Sequence, residues 1–299
     1  MNRREFYQRI SGIVDPEQLR SKTVVVVGLG SGGARVAAEL GRLGIGLVLV
    51  DRPGERLEEH NIVRHLLGYR SLGKLKLRET VRYIAQLNPS AALSTKPLDV
   101  VEKKHGFAQL LATCHPDLIA VCTDNEQSKH AINQVALAPR IPQVGAGVYD
   151  GGIGGEIYKV LPGDACYGCI ADFLQLARFS PSKTTPSNYT SGESEKPEPV
   201  SALNLDIEQI ALLQCRVILD VLLKRTLQLT GLPSEINLCT FANRLVPGTF
   251  PRPWHAEFFE VPRRQDCLDC SASPQNVEAD AARILAGLGR KKQTALLPS

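Results

Sequence analysis

Two cysteine pairs carry the plainest chemistry in this chain. Cys166-Tyr167-Gly168-Cys169 and Cys267-Leu268-Asp269-Cys270 repeat one spacing, and each follows a strand-like stretch, Gly154 to Val160 and His255 to Val261. Two such pairs suit a tetrahedral thiolate site for Zn²⁺, and four thiolates leave no open position for catalysis. A thioredoxin-type redox pair needs its motif at the opening of a helix, and two unrelated copies would be odd. The spacing therefore predicts a structural zinc clasp that pins two distant segments together.

The second constellation is built on glycine. Val24-Val25-Val26-Val27 reads as a strand buried on both faces, and it breaks into Gly28-x-Gly30-x-x-Gly33 before a helix-forming run from Ala34 to Leu40. A strand, a glycine turn and a helix N-terminus bring backbone N–H groups to face an anion, as in nucleotide sites. A second apolar strand, Leu47 to Val50, ends in Asp51, where a ribose hydroxyl would be read. Up to this point a dinucleotide dehydrogenase fits as well as an ATP enzyme.

Cations tip the balance. Arg64, Lys74 and Lys76 cluster just past the turn. A triphosphate with charge building on leaving pyrophosphate needs several cations and a metal, whereas a dinucleotide brings only a diphosphate. A further parallel strand, Asp117 to Cys122, ends in Thr123-Asp124-Asn125. There Asp124 either holds Mg²⁺ against phosphate oxygens or caps the next helix.

These groups need an α/β framework to position them. Residues 1 to 23 read as helical, and a helix ends at Leu87-Asn88-Pro89. From Leu205 to about Leu229 runs an apolar helix, with Arg216, Asp220 and Lys224 spaced along an exposed face and Cys215 as a small buried hydrophobe. Residues 180 to 200 hold almost nothing that could be buried and read as a flexible loop. The tail, 271 to 299, carries a short helical pattern from Val277 to Leu288. With 299 residues there is ample chain for a core, and a net charge of +4 marks no dedicated nucleic-acid binder. No membrane-length apolar run and no signal-peptide core are seen, which points to the cytoplasm and excludes a membrane partner.

In this order and combination the motifs resemble the ThiF/MoeB family, bacterial relatives of ubiquitin-activating enzymes. The resemblance covers about residues 5 to 270. Its carriers are the glycine turn, Asp51, Asn61-x-x-Arg64, Gly73-x-x-Lys76, Asn88-Pro89, Cys122-Thr123-Asp124-Asn125 and the two cysteine pairs. It implies a Rossmann-like, doubly wound α/β sheet, parallel in the N-terminal half and more antiparallel in the C-terminal half, with a structural zinc. One adenylation domain would occupy 1–270, followed by the tail.

The same resemblance implies ATP-dependent adenylation of the C-terminal glycine carboxylate of a ubiquitin-like protein, with release of pyrophosphate. Gly28, Gly30, Gly33, Asp51 and Asn61 would bind nucleotide, Arg64 and Lys76 would stabilise the phosphates, and Asp124 would bind Mg²⁺. The family is usually homodimeric, and Tyr7-Gln8-Arg9 resembles its Tyr-x-Arg, so Arg9 would act in trans. A conjugating enzyme or a sulfur-transfer protein would be the further partner.

Three departures stand out. The stretch from Asp51 to Asn61 is longer than the family's, with Arg52-Pro53 in place of a second acidic residue. His65 stands where glutamine usually follows the arginine. No cysteine lies between Cys169 and Cys215, where many relatives carry a nucleophile. The chain would then make the acyl-adenylate alone, or transfer the acyl group to a loop hydroxyl, with Thr190, Ser191, Ser194 and Ser201 as candidates. Alternatives are a peptide, small-carboxylate or tRNA-linked substrate, a non-catalytic binding module, and an NAD-dependent oxidoreductase that would leave Lys76, Asp124 and the clasp without a task.

Overall fold

The structure is a computed structural model that describes residues 2–176, 201–223 and 231–271. Eight strands form one mixed sheet in the order β3-β2-β1-β4-β5-β6-β7-β8. β1 (Thr23–Val27), β2 (Gly46–Asp51), β3 (Leu93–Pro97), β4 (Leu118–Val121) and β5 (Gln143–Val148) run parallel. β6 (Gly154–Val160), β7 (Leu238–Ala242) and β8 (Ala256–Phe259) continue it antiparallel. The expected parallel-then-antiparallel sheet is what forms.

Alternation along β1 explains why its valines are all buried. Val24 and Val26 join one core with α3 (Ser31–Arg42), α5 (Lys76–Leu87) and α9 (Asn204–Leu222). Val25 and Val27 face the other way, onto α6 (Lys104–Cys114) and α7 (Glu126–Leu137). Layers of helix on both faces remove the polar side that a strand would otherwise show. A third core, under α8 (Tyr167–Leu176), gathers the four clasp cysteines with Tyr158, Leu238 and Val261.

Several details depart from the expectations. The N-terminal region holds only two short helices, α1 (Arg3–Phe6) and α2 (Pro16–Arg20), separated by turns. β3, β5 and β7 have no counterpart among the expected strands. β3 is a mostly exposed edge strand containing Lys96 and Pro97, so it has no apolar run to read. Asp220 is buried, not surface: its Oδ2 accepts the Leu232 N–H at 3.4 Å, tying the segment after α9 back onto that helix. α9 is described to Leu222; Lys224, the rest of the stretch expected to run to about Leu229, the loop at 180–200 and the tail helix lie outside the described residues.

Candidate functional site

The three glycines do three different jobs. Gly28 has φ +92°, and a Cβ there would stand 2.7 Å from the Cys122 carbonyl oxygen, so only glycine lets β1 turn against the end of β4. A Cβ on Gly33 would overlap the Gly28 carbonyl, so α3 packs against the turn through a bare backbone. Gly30, the N-cap of α3, faces open space. The first-turn amides of α3 have no acceptor within the helix, so this open side is a ready anion cradle.

Asp51 closes the cradle at the end of β2. Its Oδ1 accepts the Arg52 N–H at 3.0 Å, while Oδ2 is buried with no partner. Burial pushes its carboxyl up to about 6, with the Lys76 charge working in the opposite direction. A buried, unpaired carboxylate oxygen is expensive unless a donor arrives, and two ribose hydroxyls are such donors. The Thr123 hydroxyl, after β4, is likewise buried without a partner.

The long stretch after Asp51 has a clear role. Arg52 and Lys76 both pair with Glu55, at 2.8 and 3.1 Å, across a turn in which Gly54 has φ +81°. Lys76 begins α5 and is largely buried, whereas Lys74 is half exposed and reaches only Glu79, at 3.9 Å. Of the two lysines, Lys76 is the one beside Asp51. Asn61 sits in the short helix α4 (Glu59–Ile62), where its Oδ1 accepts the Glu58 N–H at 3.3 Å in a capping box. Its observed contact is this cap.

Arg64 and His65 follow α4. The His65 ring is buried between the Leu29 carbonyl and the Leu67 amide, and Arg64 and Lys76 add their field to its surroundings. On the other side of the turn, Asn125 caps α7 by accepting the Ser128 N–H at 2.8 Å. Asp124 is therefore not the cap, and it stands exposed at the carboxyl end of β4.

Sequence reasoning missed the polar bracket behind Asp124. Lys129 is buried on α7, paired with Glu126 at 2.9 Å, and feels the charges of Glu156 and Asp124. Glu126 also accepts the Tyr167 hydroxyl. Asp269 accepts hydrogen bonds from His130 (2.7 Å), Asn133 (2.9 Å) and Gln134 (2.9 Å) of the same helix. The available signal was that Tyr167 and Asp269 are the residues between the paired cysteines.

The four cysteines converge. Their ligand atoms lie within 4.8 Å of one another, with Cys166 Sγ 3.9 Å from Cys169 and 3.5 Å from Cys267, and Cys169 3.7 Å from Cys270. Zn–S bonds of about 2.3 Å place tetrahedral sulfurs about 3.8 Å apart, so the donor set fits zinc. Cys166 immediately precedes α8, so the first pair does sit at the opening of a helix. Convergence of both pairs, not helix position, is what separates a clasp from a redox pair.

The other thiols are quiet. Burial pushes Cys122 up to about 12 and Cys239 to about 11, and raises Cys215 and Cys114 as well. Ser201 precedes α9, and its N–H donates to Asp150 Oδ1 at 3.0 Å; Thr190, Ser191 and Ser194 lie outside the described residues. Arg9 is exposed, two residues from Tyr7. The Tyr7 hydroxyl accepts from Asn88 at 2.8 Å and abuts Gly44, at the end of α3 away from the glycine turn. This chain's own Arg9 is thus remote from its cradle.

Known proteins share sequence and fold with the chain. The ubiquitin-like modifier-activating enzymes 5 of Drosophila grimshawi and Drosophila willistoni are 30% and 31% identical to the chain over 173 residues, 54% of it. Those matches cover only 43% and 42% of the relatives, so the chain aligns with less than half of their length. Among solved structures, E. coli MccB with ATP superposes with a TM-score of 0.61 at 17% identity, over 85% of this chain and 68% of that one. PaaA superposes at 0.63 and 16% identity, over 87% and 83%; at such identities the likeness is one of fold. The ThiF family model matches residues 4–250, and the chain belongs to the ThiF family.

Proposed function

We propose that this chain uses ATP and Mg²⁺ to adenylate the C-terminal glycine carboxylate of a ubiquitin-like protein. The observation that carries the reading is the pairing of an open anion cradle at Gly30 with the unpartnered, buried Oδ2 of Asp51 beside Lys76. Together they ask for a ligand that brings hydroxyls and phosphates at once. The partly matching relatives are named for activating ubiquitin-like modifiers, and this supports the choice of substrate. An NAD enzyme would find little use for Lys76, Arg64 and Asp124.

In the reaction a substrate carboxylate oxygen bonds to the α-phosphorus, the bond to the bridging oxygen breaks, and pyrophosphate leaves with its electron pair. Asp51 accepts from the ribose, and the α3 amides hold phosphate oxygens. Lys76 leaves Glu55 for phosphate, and Arg64 offsets charge on the departing group. Asp124 would hold Mg²⁺, which neutralises phosphate charge when bound. Arg9, far from this chain's own cradle, would act from a second copy in a homodimer.

The adenylate is the end product on this chain. No described thiol is both exposed and acidic enough to attack it. Pyrophosphate exchange into ATP tests the reaction, using ubiquitin-like proteins ending in glycine and the same proteins amidated at the C-terminus. Exchange with the acid alone supports the reading; exchange with neither, or only with short peptides, refutes the substrate. Intact mass tests the fate: a base-labile, thiol-resistant adduct would show transfer to a loop hydroxyl such as Thr190 or Ser201.

A further inference from the structure

His65 makes two hydrogen bonds that fix its chemistry. The Leu67 N–H donates to Nδ1 at 3.0 Å, so Nδ1 carries no proton. Nε2 lies 3.0 Å from the Leu29 carbonyl oxygen, which can only accept, so Nε2 carries the ring's single proton. Leu29 is the residue between Gly28 and Gly30, and Arg64 is His65's chain neighbour. The ring is 6% exposed, so neither bond has water as a ready substitute.

We propose that His65 is a positioning residue which, as a neutral imidazole, holds the Arg64 segment in register with the phosphate-binding turn. The inference rests on the adenylation reading for its consequence, and on the two hydrogen bonds for its geometry. A neutral imidazole offers one donor and one acceptor, as a glutamine amide does, which accounts for histidine standing at this position. Unlike an amide, it can be lost to protonation. The groups facing the ring are Arg64 on its own segment, Lys76 from α5 and the uncharged backbone of the glycine turn, and burial with those two cations lowers its basicity. The bridge therefore stands at neutral pH and fails on acidification below the ordinary histidine range of about 6.5.

Two measurements test this. Long-range ¹H–¹⁵N spectra of the histidine rings, assigned with His65→Gln, should show His65 protonated on Nε2 alone from pH 6.5 to 8; a proton on Nδ1 in that range overturns the proposal, whatever the enzyme does. Pyrophosphate exchange then reads the consequence. His65→Ala should raise the KM for ATP about tenfold with kcat changed less than threefold, and His65→Gln should recover most of that loss. The acidic fall in kcat/KM, to which Asp51 also contributes as it protonates near 6, should become shallower in His65→Gln. Equal KM in native and His65→Ala protein, or an unchanged acidic limb in His65→Gln, overturns the positioning role. Absence of exchange in native protein with intact Nε2–H geometry would instead refute the adenylation reading.

Discussion

Asp269 accepts a hydrogen bond from Asn133 at 2.9 Å, and Asn133 Oδ1 accepts the Tyr167 N–H at 3.1 Å. One side chain of α7 thus touches both cysteine pairs, and the helix that starts beside Asp124 is fastened to the clasp. Asp269→Ala removes the acceptor of three donors, one of them His130. At about 1 kcal/mol or more per bond the expected loss is roughly 2–4 kcal/mol. Thermal unfolding should show a melting point several degrees lower while bound zinc, measured by mass spectrometry, stays at the native ratio.

Removal of the metal should do more. One zinc per chain is expected from the single four-cysteine cluster among the described residues. Cys267→Ser or a strong chelator should release it, exposing the core that packs around Cys166, Tyr158 and Leu238. Structural zinc supplies roughly 10 kcal/mol or more at neutral pH, so loss of cooperative unfolding in the β6–β8 half, read by hydrogen exchange, is the predicted result.

Gly33 and Gly30 should separate fold from function. Gly33→Ala drives a methyl into the Gly28 carbonyl and should unfold or strongly destabilise the chain, by about 3 kcal/mol or more. Gly30→Ala meets nothing within 4 Å and should leave the melting point nearly unchanged. Its methyl would point into the cradle, so ATP affinity measured by calorimetry should fall at least tenfold.

Asp51 should trade stability against binding. Folding raises its carboxyl from 3.8 to about 6, so the folded state favours the protonated form. The associated stability is present below about pH 4 and is lost as pH rises through 6. Asp51→Asn should therefore be the more stable protein at pH 7.5, by up to about 3 kcal/mol, since each tenfold change in proton affinity is worth roughly 1.4 kcal/mol. Its advantage should shrink as pH drops toward 4, while ATP binding at pH 7.5 is about tenfold weaker than native.

Much of this arrangement is legible in the sequence because buried parallel strands and glycine turns leave local marks. Val24–Val27, Leu118–Val121 and the cysteine spacing are such marks. β3 left none, because an exposed edge strand needs no apolar face. Asp124 and Asn125 are both good capping residues, and only the backbone shows that the second takes the cap. The carboxylate of Asp220 looked like one of a row of surface charges, but it serves an amide beyond the helix end. Links such as Asp269 to His130 join residues far apart in the chain, and no periodicity encodes them.

The central claim concerns which oxygen ends up on phosphorus. A ubiquitin-like protein ending in glycine can be prepared with ¹⁸O in its C-terminal carboxylate, incubated with this chain, ATP and Mg²⁺, and quenched with hydroxylamine. Hydroxylamine attacks the acyl carbon, so the bridging oxygen leaves with AMP. The account predicts AMP carrying one ¹⁸O from the carboxylate, formed with an equal amount of pyrophosphate. Unlabelled AMP, or ADP and phosphate in its place, would contradict it.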